Sequence, residues 1–507
     1  MYETLLDFTR QIQSLGFFLW TWVFGAFVVI AGIYFSFRTR FAQFSLMKDL
    51  PKIITGQDKK AQENTQNNGD KPKTSLSAFQ AFAISESSRV GTGNIVGVAV
   101  AIVSGGAGAI FWMWAMALFS AATNLIESAL GQVYKENHGD RFMGGPMYYF
   151  RKAFKSQFPS YLFAGLLMFL YVFVWNSVQT NTIVDTFQAY VPHRAVVGII
   201  VASIIAIIIF GGLKRIVDIT MFILPAMVII FLVAGTGIVL FNLPAFFTAF
   251  GHIISSAFGA RQIAGGAIGF TIGQALQQGL RRGIFSNEAG IGSKPIAAST
   301  ADSSHPAKQG IVNAFGVFLD TLWISSITAF IVLMSPFYGS DLVGVALVRE
   351  SMIYFTGALG APLFYVMFLL LPFTSIIGNY FYGETCLRFI TKSKASVTIL
   401  RVVAVVLIFL ASFVPLNLVW NIADLFTGTL ATLNIFVLFK LSNIAIKVIN
   451  DYKAQSKSGN DPVFYDDVIG GNTSFWKKNR DGIVENQKNN LNSASIVSNN
   501  QVADNQA

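Results

Sequence analysis

The chain has 507 residues, 53% of them hydrophobic and only 12% charged; a soluble domain carries roughly 25% charged residues, so a soluble enzyme is excluded. One cysteine, Cys386, and four scattered histidines exclude a disulfide framework, a cysteine-built metal centre and an HExxH zinc site. The formal net charge of +10 would suit nucleic acid in a soluble chain, but in an apolar one Lys and Arg gather in loops beside a bilayer, so no nucleic-acid partner is expected.

The N-terminus, MYETLLDFTRQIQ, carries Glu3 and Asp7 and lacks the basic start of a cleavable leader. The first apolar run, 15–37, exceeds the roughly 20 residues that cross a bilayer. Residues 1–55 therefore read as one transmembrane helix and a basic loop, and 56–75 as a polar linker. Ten further runs follow, at 76–103, 107–133, 161–190, 194–212, 216–241, 263–283, 309–334, 358–386, 396–415 and 418–440, which makes eleven spans in all. The stretch 242–262 reads as an extracellular loop. Basic residues crowd alternate loops: Arg38 to Lys73; Lys135 to Lys155; Lys214 and Arg215; Arg281, Arg282, Lys294 and Lys308; Arg388 to Lys394; Lys440 and Lys447. That bias puts the N-terminus outside and the C-terminus in the cytoplasm of a multi-pass plasma-membrane protein, expected to be bacterial. The tail 451–507, rich in Asn, Ser and Gln, has too little apolar surface to offset its ordering entropy and is expected to be disordered.

Two apolar runs are interrupted. The second contains GTGN, residues 91–94, and the seventh reads IAGGAIGF, residues 263–270. With the first span set aside, these runs open two sets of five helices, at 76–241 and 263–440, and cross in opposite directions. That is the pattern of an inverted-repeat transporter whose discontinuous helices meet at mid-membrane. Unwound backbone survives in a bilayer only where it is buried or lines a cavity, and a half-helix N-terminus suits a carboxylate. The competing reading makes Gly93 and Gly97 a GxxxG packing face. The second break in register, with Thr92 and Asn94 beside the glycines, favours a binding site. In the second break the site would use Gly265, Gly266, Gly269 and Phe270.

The segments SLSAFQAFAISESSRVGTGNIVGVAVAIVSGGAGAIFWMW, GGPMYYF, GIFSNEAGIGSKPIAAS, HPAKQGIVNAFGVFLDT and FTSIIGNYFYGE resemble the alanine or glycine:cation symporter family from about residue 75 to 442. The resemblance implies an all-α, LeuT-like core that couples Na⁺ or H⁺ to uptake of a small neutral amino acid, without an organic cofactor. It implies that Gly91, Thr92, Gly93 and Asn94 hold the substrate carboxylate and that Gln179 faces the substrate. It further implies a Na⁺ site made of Thr374 and Ser375 hydroxyls with carbonyls near Ser87, Val90 and Leu371. At FTSIIGNYFYGE the chain departs: Asn379 stands where family members that carry alanine or glycine often have a tryptophan. The room and the amide point to glutamine as a cargo beside alanine and glycine.

Ionisable residues lie in or near spans at Glu86, Arg89, Glu127, Asp185, Glu288, Asp320, Glu384 and Asp424, where charge is costly and points to function. Glu86 and Arg89, three apart, can neutralise each other or serve an inner gate. SNEAGIGS, residues 286–293, follows two arginines and reads as gate and loop structure. A proton-coupled importer or exchanger of the same fold is the alternative within the class. An ion channel would need a repeated filter, and an enzyme a nucleophile, metal or cofactor motif.

Overall fold

The computed structural model describes residues 18–56, 74–188, 190–259, 272–357, 360–459 and 461–471, with Gln11, Gly16, Pro72, Thr473, Phe475 and Trp476. The second glycine run, with Gly265, Gly266, Gly269 and Phe270, lies outside the described residues. Apart from a small hairpin that pairs Glu136–Asn137 with Phe142–Met143, the architecture is helical.

Helix α1, Gly25–Arg38, continues a π-helical turn, Trp20–Phe24. Helix α2, Ala78–Arg89, starts on a capping box in which Ser77 and Gln80 satisfy each other's backbone N–H groups. It stops at Val90, and after a π-helical turn at Gly93–Gly97 the chain continues as α3, Val98–Gly105, bent by 52° from α2. Helix α4, Gly108–Val133, is central and almost wholly buried over its second half. Then come α5, Pro146–Phe154; α6, Phe158–Phe187; α7, Arg194–Phe210; and α8, Gly212–Phe241. In place of the extracellular loop read over 242–262 stands a helix, α9, Leu243–Ala257, with Pro244 in its first turn.

The second half holds α10, Ile272–Asn287; α11, Lys294–Ser299; α12, Pro306–Met334; α13, Gly344–Thr356; α14, Gly360–Ile390; α15, Lys394–Ala411; α16, Leu416–Lys440; and α17, Ser442–Lys457. Among the described residues seven helices are long and apolar enough to cross a membrane, and the bent α2–α3 pair makes an eighth. Eleven were expected. Helix α7 is short, at 17 residues, and α1 and α10 begin near edges of the described residues.

Small residues let the central helices approach closely, as in membrane bundles. A Cβ on Gly310 would stand 2.5 Å from the Leu125 carbonyl oxygen, and one on Gly131 the same distance from Pro295. The outer helices present bare apolar surface: Phe222 is 80% exposed and Phe241 91%, the face a lipid-embedded helix requires. The chain is an all-helical, multi-pass membrane protein.

The tail corrects one expectation. Up to Trp476 it is docked rather than solvated. The Trp476 indole is fully buried and donates to the Gln132 carbonyl at 3.0 Å, Phe464 N–H donates to the Ser304 carbonyl at 2.9 Å, and His305 meets Asp451 at 3.0 Å. Three aromatics in an Asn-rich stretch supply what average composition concealed. Residues 477–507 lie outside the described residues.

Candidate functional site

The break after α2 is held open by side chains. Gly91 N–H donates to Asn94 Oδ1 at 3.1 Å; Thr92 N–H and Oγ1 both donate to Gln179 Oε1, at 3.1 and 2.5 Å. Asn94 Nδ2 donates to Ser286 Oγ on α10 at 2.8 Å. The four GTGN residues and Gln179 are therefore assembled at one buried point. One expectation needs correction: the N–H groups of Gly91 and Thr92 are not free for a carboxylate in this conformation, because Asn94 and Gln179 already occupy them.

Gly91 has no alternative. A Cβ there would stand 2.2 Å from Ser375 Oγ and 3.2 Å from Gln179 Oε1. Ser375 Oγ lies 3.3 Å from the Val90 carbonyl oxygen and 3.1 Å from that of Leu371, and Thr374 Oγ1 lies 3.0 Å from the same Leu371 oxygen. Pro372, lacking an N–H, leaves the Phe368 carbonyl one turn back without its helical donor. Ser87 packs alongside: a Cβ on Gly378 would stand 2.6 Å from its Oγ, which itself donates to the Ile84 carbonyl at 2.8 Å. All five residues of the expected cation site thus lie where α2 ends against α14. Their donors are neutral oxygens, the set a hard monovalent cation takes. The hydroxyl protons at present serve helix carbonyls, as buried Ser and Thr commonly do.

The second interruption is at 288–293, inside SNEAGIGS. Helix α10 ends at Asn287; Glu288, Gly290 and Gly292 take φ of 54°, 81° and 98°; α11 begins at Lys294. The segment is a loop, as read from the sequence, but a fully buried one that lies beside the first break. Glu288, the one non-glycine in this left-handed run, is fixed by four groups. Tyr171 Oη and Ser293 Oγ each donate at 2.7 Å, Ser88 Oγ lies 3.1 Å away, and Lys294 Nζ pairs at 2.8 Å. Gly290 N–H donates to Glu127 Oε1 at 3.2 Å, and Asn434 Nδ2 bridges Glu127 Oε2 and the Gly290 carbonyl at 3.0 and 2.9 Å. Arg281 and Arg282 belong to α10 and Lys294 to α11. Arg282 pairs with Asp424, and its guanidinium sits 4.5 Å from the Trp420 ring centre.

Asn379 lies between the breaks. Its Oδ1 accepts from Ser88 Oγ at 2.7 Å, while its buried Nδ2 has no partner among the described residues. Aromatic rings close the far side: Phe285 packs on Gly93 and has Trp175 and Trp420 at 4.7 and 4.6 Å between ring centres. Across the other side Arg89 pairs with Glu86 and Asp320, each at 2.9 Å. Glu86 and Arg89 do neutralise each other, with Asp320 as a third member. Sequence reading missed Tyr171, Trp175, Phe285, Trp420 and Asn434, aromatic and amide residues of ordinary helical runs that carry no local signal.

The model of the sodium:alanine symporter family matches residues 6–466. The "Probable sodium/glutamine symporter GlnT" of Bacillus subtilis is 39% identical over 92% of this chain and 93% of its own length. The "Sodium/alanine symporter AgcS" of Methanococcus maripaludis is 32% identical over 87% of this chain and 96% of its own. Among solved structures, the nucleobase–cation symporter Mhp1 matches with a TM-score of 0.43 at 15% identity, over 76% of this chain and 81% of that one. The chain belongs to the sodium:alanine symporter family.

Proposed function

We propose that this protein imports a small neutral amino acid, with glutamine preferred to alanine and glycine, by alternating access driven by Na⁺. The carrying observation is that two interrupted helices meet at one buried point, where α14 adds two hydroxyls and α6 an amide. Ser87, Val90 and Leu371 would offer carbonyls, and Thr374 and Ser375 hydroxyls, to Na⁺. Thr92, Gly93, Asn94 and Gln179 would receive the amino-acid carboxylate and ammonium. To do so Gln179 must exchange Thr92 for the substrate, which makes it the first group to move on binding.

In this reading α2–α3 to α8 and α10–α11 to α16 are the two inverted five-helix repeats, α1 is an addition, and the termini lie outside and inside respectively. Glutamine is favoured by the unpartnered Asn379 Nδ2, because a buried amide donor without an acceptor costs about 1–3 kcal/mol and the cargo's amide oxygen would serve it. Binding of the twenty amino acids to purified protein, with and without Na⁺, tests this. Glutamine should bind most tightly and only with Na⁺. Equal binding in Na⁺-free buffer at lowered pH would instead mark the proton-coupled alternative.

A further inference from the structure

We infer that a basic cavity between the end of α1 and helix α17 is a binding site for the phosphate of an anionic phospholipid headgroup. The inference needs the chain to be membrane-embedded and is independent of what it transports. The cavity measures 910 Å³ and is lined by Arg38, Arg40, Lys48, Lys453 and Lys457, with Phe37 at its edge and no carboxylate in its wall among the described residues.

Three observations make this more than the ordinary excess of basic residues beside a membrane. First, none of the five cations forms an ion pair among the described residues. Arg38 Nη2 donates instead to the neutral Asn443 Oδ1 at 3.1 Å, which leaves its charge unbalanced. The nearby Asp49 is engaged by Ser456 Oγ at 2.9 Å. Second, the wall is built. Arg40 and Phe41 both take left-handed backbone, with φ of 51° and 52°, rare for residues other than glycine. Lys453 Nζ locks that turn to α17 by donating to the Thr39 carbonyl at 2.6 Å. Partial burial and the neighbouring Arg40 push the Lys453 pKa below its usual range, as expected of positive charge with nothing to balance it.

Third, the rim faces lipid. Phe37, which lines the cavity, is 64% exposed. A phosphate bearing two acyl chains satisfies both surfaces, whereas a free anion satisfies one. Basic pockets beside membrane helices hold such headgroups, at about 1 kcal/mol for each Lys or Arg near the surface.

The test uses purified full-length protein in nanodiscs of phosphatidylcholine doped with phosphatidylglycerol or cardiolipin, with retained lipid counted by native mass spectrometry. The wild type should retain the anionic lipid over phosphatidylcholine. The triple variant Arg40→Gln, Lys48→Gln and Lys453→Gln should lose it by roughly a hundredfold. The double variant Arg40→Gln with Lys48→Gln spares the Lys453 bond to Thr39 and should lose roughly thirtyfold, which guards against a folding defect in the triple. A control triple, Lys155→Gln, Lys392→Gln and Lys394→Gln, removes equal charge elsewhere and should retain the lipid. Equal loss in both triples, no preference over phosphatidylcholine, or displacement by inorganic phosphate at matched concentration would each overturn the inference.

Discussion

Gly91 and Ser375 define the site at the scale of single residues. A Cβ at 91 would overlap Ser375 Oγ, so Gly91→Ala should abolish Na⁺-dependent binding while the protein still purifies as folded. Ser375→Ala is milder. It removes one oxygen and should weaken Na⁺ affinity about five-fold, equivalent to about 1 kcal/mol, with little change in substrate affinity at saturating Na⁺. Isothermal titration with Na⁺ separates the two. Unchanged Na⁺ affinity in Ser375→Ala would move the cation site elsewhere. Asn379→Leu keeps the side-chain volume close and deletes the amide. It should weaken glutamine about five-fold and leave alanine nearly untouched, as read by competition binding. Equal effects on both would show that Asn379 acts only on Ser88. The GTGN glycines, the hydroxyl pair and Gln179 were legible because few residue types perform these tasks in mid-membrane. That Gln179 and Asn94 already hold the Gly91 and Thr92 N–H groups was not, because a sequence shows donors and acceptors but not which of them meet.

Between elements the decisive feature is the abutment of two breaks. The first was legible because glycine and asparagine interrupt an apolar helix. The second expected break, at 263–270, lies outside the described residues; among those described, the chain is interrupted again at 288–293. A polar, glycine-spaced segment looks like a loop to any hydropathy reading. It belongs in the bundle because its one charge and a backbone donor are both matched: Glu288 by Lys294, and the Gly290 N–H by Glu127. Glu288→Ala should therefore strand Lys294 and cost roughly 3–5 kcal/mol of stability, with transport lost. Thermal denaturation in detergent measures it. A melting temperature within a degree or two of wild type would mean that the pair does not hold the second break. Helix α9 was missed for a related reason: a surface helix joining two spans carries no membrane-length signal.

In the whole molecule, the lipid-facing helices, the buried breaks and the docked tail form one body. The tail closes over Lys135, whose ammonium lies 4.3 Å from the Phe142 ring centre, 4.6 Å from that of Phe475 and 5.4 Å from that of Trp476. Burial pushes the Lys135 pKa down to about 7, and burial also lowers that of His305 beneath Asp451. Both docked groups then bind fewer protons than their free forms. Docking should strengthen as pH rises from about 7 toward the ordinary lysine range, and weaken further as His305 protonates on acidification. Limited proteolysis of the 461–476 segment, with protease activity held constant, should be slower at pH 9 than at pH 6. Equal rates would mean that the rings stabilise the ammonium as much as burial opposes it. The all-helical, multi-pass character was legible from apolar runs, whereas seven or eight of the eleven expected spans meet the length and hydropathy of a crossing helix among the described residues. The docked tail was not, since Phe464, Phe475 and Trp476 are three residues in a polar stretch and their partners at 132, 135 and 304 are distant in sequence. The most direct measurement is uptake of radiolabelled glutamine into ATP-free proteoliposomes under an imposed inward Na⁺ gradient. Accumulation above equilibrium that collapses when the Na⁺ gradient is dissipated, and that alanine competes for only weakly, is the expected result. Accumulation driven equally well by a pH gradient without Na⁺, or no concentrative uptake of any neutral amino acid, would contradict Na⁺-driven symport at the paired breaks.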